Sequence, residues 1–345
     1  MSSRGKTEPM TDTNRRIVLA QRPTGMVDEH TTRLEESPVP TAGPGEALVR
    51  VRHLSIDPTI RGWMNEVDTY LPAIRIGEVI RSAGLGEIVA TNGDGLKVGD
   101  TVFGRLGWQD YAIVPATGPE TAQVVPPGID AGTALGLLGV TGLTAWFGLT
   151  DVGRMVTGDH VVVSGAAGAT GSVVGQLARI QGAATVVGLA GTDDKCRWLV
   201  DEAGFDHAVN YKTQDVGAEL RRLLPGGIDL FWDNVGGPIL DTCLGHLAMR
   251  GRVVLCGAIS GYNDSRLPPG PANYLNLLIK RGRMEGFIIL DYMDRFAEAQ
   301  LQLATLAMEG KLTAQAHIVD GLEHAPEALN LLFTGGNTGK LIVKV

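Results

Sequence analysis

The chain has 345 residues, which fits about two domains at the usual 100–200 residues each. Lys and Arg total 30 against 38 Asp and Glu, and the resulting −8 excludes a general pull toward nucleic acid or anionic membrane. A hydrophobic share of 44% with 20% charged residues excludes a disordered chain and fits a large core.

Met1 to Arg16 is polar and charged, lacks the apolar stretch of a signal peptide, and reads as a disordered tail, residues 1–16. From Ile17 to about Pro127 the chain predicts short strands divided by Gly and Pro: Leu48–Arg52, Glu78–Ala90, Gly99–Phe103 and Tyr111–Val114. Gly84 and Gly86 fall inside the second of these, as in a bent barrel strand. This pattern predicts an all-β barrel or sandwich. Ala131 to Thr150 carries no charge but is broken by five glycines (Gly132, Gly136, Gly139, Gly142 and Gly148). It reads as a buried helix with small-residue packing, not as a membrane span.

After Asp130 the pattern changes. Strands are predicted over His160–Ser164, Ala184–Leu189, Ala208–Asn210, Ile228–Asp233 and Arg252–Cys256. They alternate with helices over Ala169–Ile180, Asp193–Ala203, Asp215–Leu224 and Gly237–Leu247. A last helix–strand pair ends at Phe287–Ile289, and a helix over Asp294–Met308 leads out. Such alternation predicts an α/β doubly wound parallel sheet. The C-terminal Leu341–Val345 is a strand with nothing after it to pair with, so it should return to the N-terminal β section, leaving a cleft between the two parts.

The sharpest motif is Gly165-Ala166-Ala167-Gly168-Ala169-Thr170-Gly171, between a buried strand and a helix. Small residues there let the backbone approach a pyrophosphate, and the helix N-terminus offers free N–H groups. The spacing is G-x-x-G-x-x-G, and its alternative is close helix–strand packing; the surrounding βα units favour a dinucleotide. No acid sits at the tip of the next strand, where one would hold a ribose 2′-OH. Gly191 leaves room there and Lys195 follows, which suits a 2′-phosphate and hence NADPH. Asp193 and Asp194 argue the other way but also serve as ordinary helix N-terminal acids, and a solvated helix lysine would look the same as Lys195.

These residues lie within longer stretches that resemble a known family. They include Ser55-Ile56-Asp57-Pro58-Thr59-Ile60-Arg61-Gly62, Gly139-Val140-Thr141-Gly142, Asn210-Tyr211-Lys212, Asp233-Asn234-Val235-Gly236-Gly237, Cys256-Gly257-Ala258-Ile259-Ser260-Gly261-Tyr262-Asn263, Arg283-Met284-Glu285-Gly286-Phe287 and Asn337-Thr338-Gly339-Lys340. From Ile17 to Val345 the chain resembles the zinc-independent medium-chain dehydrogenase/reductases. It is most similar to the NADPH-dependent alkenal and prostaglandin reductases, which include curcumin reductase.

The resemblance implies a GroES-like β-barrel domain over 17–137 and 311–345, with an inserted Rossmann domain over 138–310. It implies a homodimer that reduces the C=C bond of α,β-unsaturated ketones or aldehydes; the cytoplasmic setting is read instead from the low cysteine count. By position it implies Lys195 and Tyr211 at the 2′-phosphate, and Gly168 and Gly171 along the pyrophosphate. It implies Asn234 and the Cys256 backbone at the nicotinamide ribose, Phe287 and Ile288 at the carboxamide, Asn337 reaching in from the C-terminal section, and Tyr262 near the substrate carbonyl. The chain departs from the family at Thr59, where Tyr is common, and at Trp63, where a smaller or basic residue is usual. Both bear on which substrate is taken.

Metal chemistry is disfavoured on its own grounds. Three cysteines (Cys196, Cys243 and Cys256) cannot build a four-cysteine zinc lobe, and the seven histidines show no clustered ligand spacing. Three cysteines also fit a reducing compartment.

With NADPH as hydride source, the protein's own task is to orient substrate and stabilise the charge that develops on the carbonyl oxygen. Tyr262 is the candidate donor; the alternative is an aromatic that only packs. Tyr211 is equally readable as an adenine-side wall or packing. Arg266–Pro271 reads as a surface or lid segment, or an inert linker. Two other functions remain open: quinone reduction on the same scaffold, and a non-catalytic NADPH-binding protein.

Overall fold

The computed structural model describes residues 13–118, 120–264 and 269–345. Its first strand begins inside the segment that composition assigns to a tail: β1 (Thr13–Leu19) pairs antiparallel with β2 (Thr32–Pro38). Thr13 to Arg16 are therefore structured, because their polar groups meet partners far along the chain. The buried Asn14 amide donates to Tyr111 O (3.1 Å) and accepts from Tyr111 N (2.9 Å), and Arg15 pairs with Asp110.

The β section continues with β3 (Glu46–Ser55), α1 (Thr59–Trp63), β4 (Ala83–Thr91), β5 (Thr101–Arg105), β6 (Tyr111–Pro115) and β7 (Gln123–Val124). Strand β3 is the hub. It pairs antiparallel with both β4 and β6, and its alternating Val49, Val51 and the following Leu54 are buried. In β4, a Cβ on Gly86 would stand 2.5 Å from Arg50 O, so only glycine permits that approach.

The segment expected as one buried helix is three pieces. A π-helical turn covers Thr133–Leu137, α2 covers Val140–Phe147, and a second π turn covers Gly148–Val152. Gly142 explains the irregular start: its Cβ would lie 1.8 Å from Leu137 O.

The α/β section follows in order: β8 (His160–Val163), α3 (Ala169–Ile180), β9 (Thr185–Ala190), α4 (Asp193–Asp201), β10 (His207–Asn210), α5 (Val216–Leu223), β11 (Ile228–Asp233), α6 (Gly237–Leu244), β12 (Leu247–Leu255), α7 (Leu275–Lys280) and β13 (Arg283–Gly286). The sheet order is β10-β9-β8-β11-β12-β13, with every pairing parallel. Counting from β8 this is the 3-2-1-4-5-6 order of the Rossmann fold, with its switch point between β8 and β11. Val161, Val162 and Val163 are all fully buried, as a central parallel strand covered on both faces requires. Several boundaries differ from expectation, and β4 starts at Ala83 rather than Glu78. Helix α6 stops at Leu244 because Leu247 already starts β12, and β13 ends at Gly286, one residue before Phe287.

The chain leaves through α8 (Phe296–Met308), β14 (Ala316–Asp320), α9 (Ala325–Thr334) and β15 (Lys340–Lys344). Strand β15 pairs antiparallel with β3, as the return of the C-terminus predicts. It also pairs in parallel with β14, a partner the sequence reading missed. The resulting order is β14-β15-β3-β4-β5-β7, with β6 on β3, so the chain's two ends complete one sheet around the parallel one.

Candidate functional site

The parallel sheet places the C-terminal ends of its strands along one edge, and candidate residues follow each of them. Ser164 and Gly165 follow β8, Gly191 follows β9, Tyr211 follows β10, Asn234 follows β11, Cys256 follows β12 and Phe287 follows β13. Ligands of open α/β sheets bind at this edge, beside the switch point.

The glycine loop is shaped by backbone demands. Gly165 has φ +56°, a left-handed conformation that favours glycine. At Gly171 a Cβ would stand 2.5 Å from Gly165 O and 2.9 Å from Ala166 Cα. Gly168 is the N-cap of α3, with Ala169, Thr170 and Gly171 forming the first turn and no side chain capping it, so its N–H groups face outward. Gly171→Ala is expected to cost about 1–3 kcal/mol by overpacking. A fall in Tm on thermal unfolding checks this; an unchanged Tm would mean that the loop yields freely.

Beneath the loop, Asp233 is fully buried, accepting from Ser164 Oγ (2.7 Å) and from the N–H groups of Val235 and Gly236. Burial raises its pKa, while the Ser164, Gly236 and Val235 bonds act against the rise. Asn234 bridges the strand ends: its amide donates to Ser164 O (2.7 Å) and accepts from Trp232 Nε1 (3.0 Å). The site thus rests on a rigid polar latch between β8 and β11.

At the tip of β9 the structure gathers Gly191, Lys195, Tyr211 and Lys212. A Cβ on Gly191 would stand 2.8 Å from the Tyr211 hydroxyl and 3.3 Å from Lys212 Cε. Lys195 Nζ donates to Gly335 O (2.9 Å), and both burial and the Lys212 charge lower its pKa. The two acids that complicated the sequence reading are engaged elsewhere. Asp193 accepts from Asn210 Nδ2 (2.6 Å), and Asp194 pairs with Arg197. Lys212 was quoted in sequence only as part of a motif; its place beside Gly191 needed the fold.

The C-terminal section meets the loop directly. Gly339 N donates to Ala167 O (2.8 Å), and Gly168 and Gly339 form a parallel bridge. Asn337 is buried and its amide donates to Gly339 O (3.0 Å), so it supports that contact from behind.

Further along the edge, Cys256, Tyr262, Phe287 and Ile288 line one cavity of about 590 Å³, with Asp233 and Gly236 in its wall. The Tyr262 hydroxyl accepts from Ala258 N (3.2 Å), which fixes the oxygen and leaves its own proton to give away. Burial first, then the Cys256 and Asp233 charges, raise the Tyr262 pKa, with the Ala258 N–H opposing. Burial pushes the Cys256 thiol up to about 12, so it is no nucleophile at neutral pH. Phe287 stands edge-on to Trp232 (6.1 Å), and both crowd Gly148, whose Cβ would meet them at 2.3 and 2.6 Å.

Near Tyr262 lies a residue that sequence reasoning missed. Tyr70 packs edge-on against Trp63 (6.2 Å). Burial raises its pKa, and Tyr262 and Asp57 are near enough to push it further up. The buried Arg61 of the same motif donates to Gly25 O (2.8 Å) and Asn65 Oδ1 (2.7 Å), pinning the loop that carries these side chains. No periodic or glycine signal marks Tyr70 in sequence. In the lid candidate Arg266–Pro271, residues 266–268 lie outside the described residues.

Comparison with known proteins fits this geometry. Residues 15–122 match the family of the N-terminal domain of oxidoreductase, and residues 169–305 match the zinc-binding dehydrogenase family. The chain is 38% identical to the NADPH-dependent curcumin reductase of Escherichia coli, over 96% of this chain and 97% of that one. It is 34% identical to the NADP(+)-dependent 2-alkenal reductase of Nicotiana tabacum, over 96% and 97%.

The chain belongs to the zinc-independent medium-chain dehydrogenase/reductases, in their alkenal and curcumin reductase group.

The crystal structure of CurA from Vibrio vulnificus in complex with NADPH superposes on this reductase-family chain with a TM-score of 0.90. Identity is 38%, covering 96% of this chain and 99% of that one. One matched family carries zinc in its name. Here Cys243 is buried within α6, Cys196 lies on α4 and Cys256 follows β12. Among the described residues no group of three or more His, Cys, Asp or Glu is placed to hold a metal ion.

Proposed function

We propose that this family member is an NADPH-dependent enone and alkenal reductase, acting on the C=C bond of α,β-unsaturated ketones and aldehydes. The observation that carries the reading is the cavity in which Tyr262, Cys256, Phe287 and Ile288 converge beside the glycine loop. The residues present fit NADPH. Gly165, Gly168 and Gly171 form a cradle that side chains would fill, and Lys195 and Lys212 stand together at the tip of β9.

In this reading Gly168, Ala169, Thr170 and Gly171 hold the pyrophosphate, and Gly191, Lys195 and Tyr211 the 2′-phosphate end. Asn234 and the Cys256 backbone border the nicotinamide ribose, Phe287 and Ile288 meet the carboxamide, and Asn337 supports the site through Gly339. When bound, NADPH supplies a hydride. The protein's residues handle the charge. As the alkene electrons move onto the substrate carbonyl oxygen, the Tyr262 O–H stabilises that oxygen and can deliver its proton. Its raised pKa keeps that proton in place at neutral pH. Tyr70, packed on Trp63, lies near enough to Tyr262 to bear on which substrate is taken.

We assign 17–137 and 311–345, together with the Thr13–Arg16 start of β1, to the GroES-like substrate domain and 138–310 to the Rossmann domain. The homodimer implied by the family is supported by an apolar surface on α7 next to the edge strand β13, where Leu275, Leu278 and Ile279 are exposed. Three free cysteines support a cytoplasmic, reducing setting.

Loss of NADPH absorbance should be followed with a linear 2-alkenal, a linear enone, a cyclic enone and a quinone, each repeated with NADH. Fast oxidation with the linear enone or alkenal, weak with NADH, is expected. Turnover with quinone alone would move the activity to that acceptor. Tight NADPH binding without turnover on any acceptor would overturn the catalytic reading.

A further inference from the structure

The far edge of the parallel sheet carries a second charged site. Five arginines, Arg154, Arg250, Arg252, Arg281 and Arg283, line a single pocket of about 360 Å³. Arg252 and Arg283 lie in register on neighbouring strands β12 and β13. Arg252 and Cys256 are four positions apart along the regular part of β12, about 13 Å at strand spacing, so this pocket is separate from the cavity holding Tyr262.

Two of the arginines build the wall. Arg252 pairs with Asp159 (2.6 Å) and donates to Arg154 O (2.7 Å), and Arg283 donates to Val152 O (2.5 Å). The other three are different. Arg154 and Arg281 donate only to backbone carbonyls or the Met249 sulfur, and the Arg250 side chain makes no hydrogen bond among the described residues; none of the three pairs with a carboxylate there. Like charges held together without counter-charges repel, and this chain is acidic overall, with a net charge of −8.

The backbone adds an independent observation. Arg154, Arg250 and Arg281 have φ of 46°, 64° and 51°. They are the only non-glycine residues with positive φ among the described residues. Glycine or asparagine would be at ease at each position. All three non-glycine residues with positive φ among the described residues therefore lie in one pocket and are arginines without a carboxylate partner, whereas arginine is a poor choice for stability at such positions. Guanidinium groups bind phosphoryl oxygens in bidentate fashion, and three free positive charges match a diphosphate.

We propose that this pocket is a binding site for a compact diphosphate group, separate from the cofactor site. Isothermal titration calorimetry of the full chain with pyrophosphate, orthophosphate and ADP tests it, alongside the triple variant Arg154→Gly, Arg250→Gly, Arg281→Gly. Pyrophosphate is expected to bind more tightly than orthophosphate. The triple variant should weaken it by about 100-fold, from several lost charged hydrogen bonds. ADP binding lost in the same variant would identify a nucleotide as a source; ADP failing while pyrophosphate binds would identify the free diphosphate. The triple variant should also show a raised Tm without ligand, because the strain and repulsion are gone. Arginines kept for structure would lower it. Should the triple variant fold poorly, Arg250→Asn keeps the left-handed backbone and should still weaken pyrophosphate. No pyrophosphate binding, or binding unchanged in the variants, overturns the proposal. So does a change in mass by light scattering without any anion effect, since the arginines would then meet a second copy of the chain.

Discussion

Lys195→Ala is expected to raise the KM for NADPH by about 10–100-fold while leaving that for NADH nearly unchanged, matching loss of a charged hydrogen bond worth about 1.5–3 kcal/mol. The reason is local. Lys195 Nζ is anchored by Gly335 O and stands near Lys212, while Asp193 and Asp194 are tied to Asn210 and Arg197. A 2′-phosphate would meet the positive charge of both lysines, with Asp194 held by Arg197 and Asp193 by the Asn210 amide. The pH dependence has a definite sign. Burial and the Lys212 charge lower the Lys195 pKa, so it loses its proton below the ordinary lysine value of 10.5. The advantage of NADPH over NADH should therefore shrink as pH rises, and should begin to shrink before pH 10.5. Steady-state kinetics with both cofactors across alkaline pH measure this. Equal loss with NADPH and NADH would assign Lys195 to the fold rather than to the phosphate.

Tyr262→Phe should lower kcat by about 10²-fold, the usual cost of losing one donor to a developing oxyanion, with little change in KM for NADPH. The Ala258 N–H keeps the Tyr262 oxygen in place, and phenylalanine fits the same packing without the proton. Burial raises the Tyr262 pKa above its usual 10.0, so the wild-type enzyme should keep this donor protonated through pH 10. An alkaline fall in kcat caused by Tyr262 belongs above that value. If Tyr262→Phe leaves kcat/KM within about twofold, the donor role is wrong.

Much of this protein could be read locally. The run His160–Val163 is β-branched and buried on both faces, so its strand identity follows from composition. Helix Ala169–Ile180 and strand Ile228–Asp233 fall where periodicity places them, because capping, glycine and apolar run all point the same way. The glycine loop was legible for the same reason: its chemistry is written in consecutive residues. So was the return of the C-terminal strand, since a lone apolar strand must pair somewhere.

What the tertiary structure decided involves residues far apart in sequence. Thr13–Arg16 look like a tail until Asn14 meets Tyr111 and Arg15 meets Asp110. The uncharged stretch around α2 becomes two π turns and a helix because Gly142 presses on Leu137 O and Gly148 on Trp232 and Phe287. Tyr70 comes near Tyr262, and Lys212 joins Lys195 around Gly191, though no local pattern announces either. The five-arginine pocket is likewise invisible as a motif, since its members come from three separate segments. By itself the sequence determined the central strands of the parallel sheet, the dinucleotide loop and the family. Only folding decided which charges are paired and which are free, because pairing depends on contacts between distant segments that no short window contains.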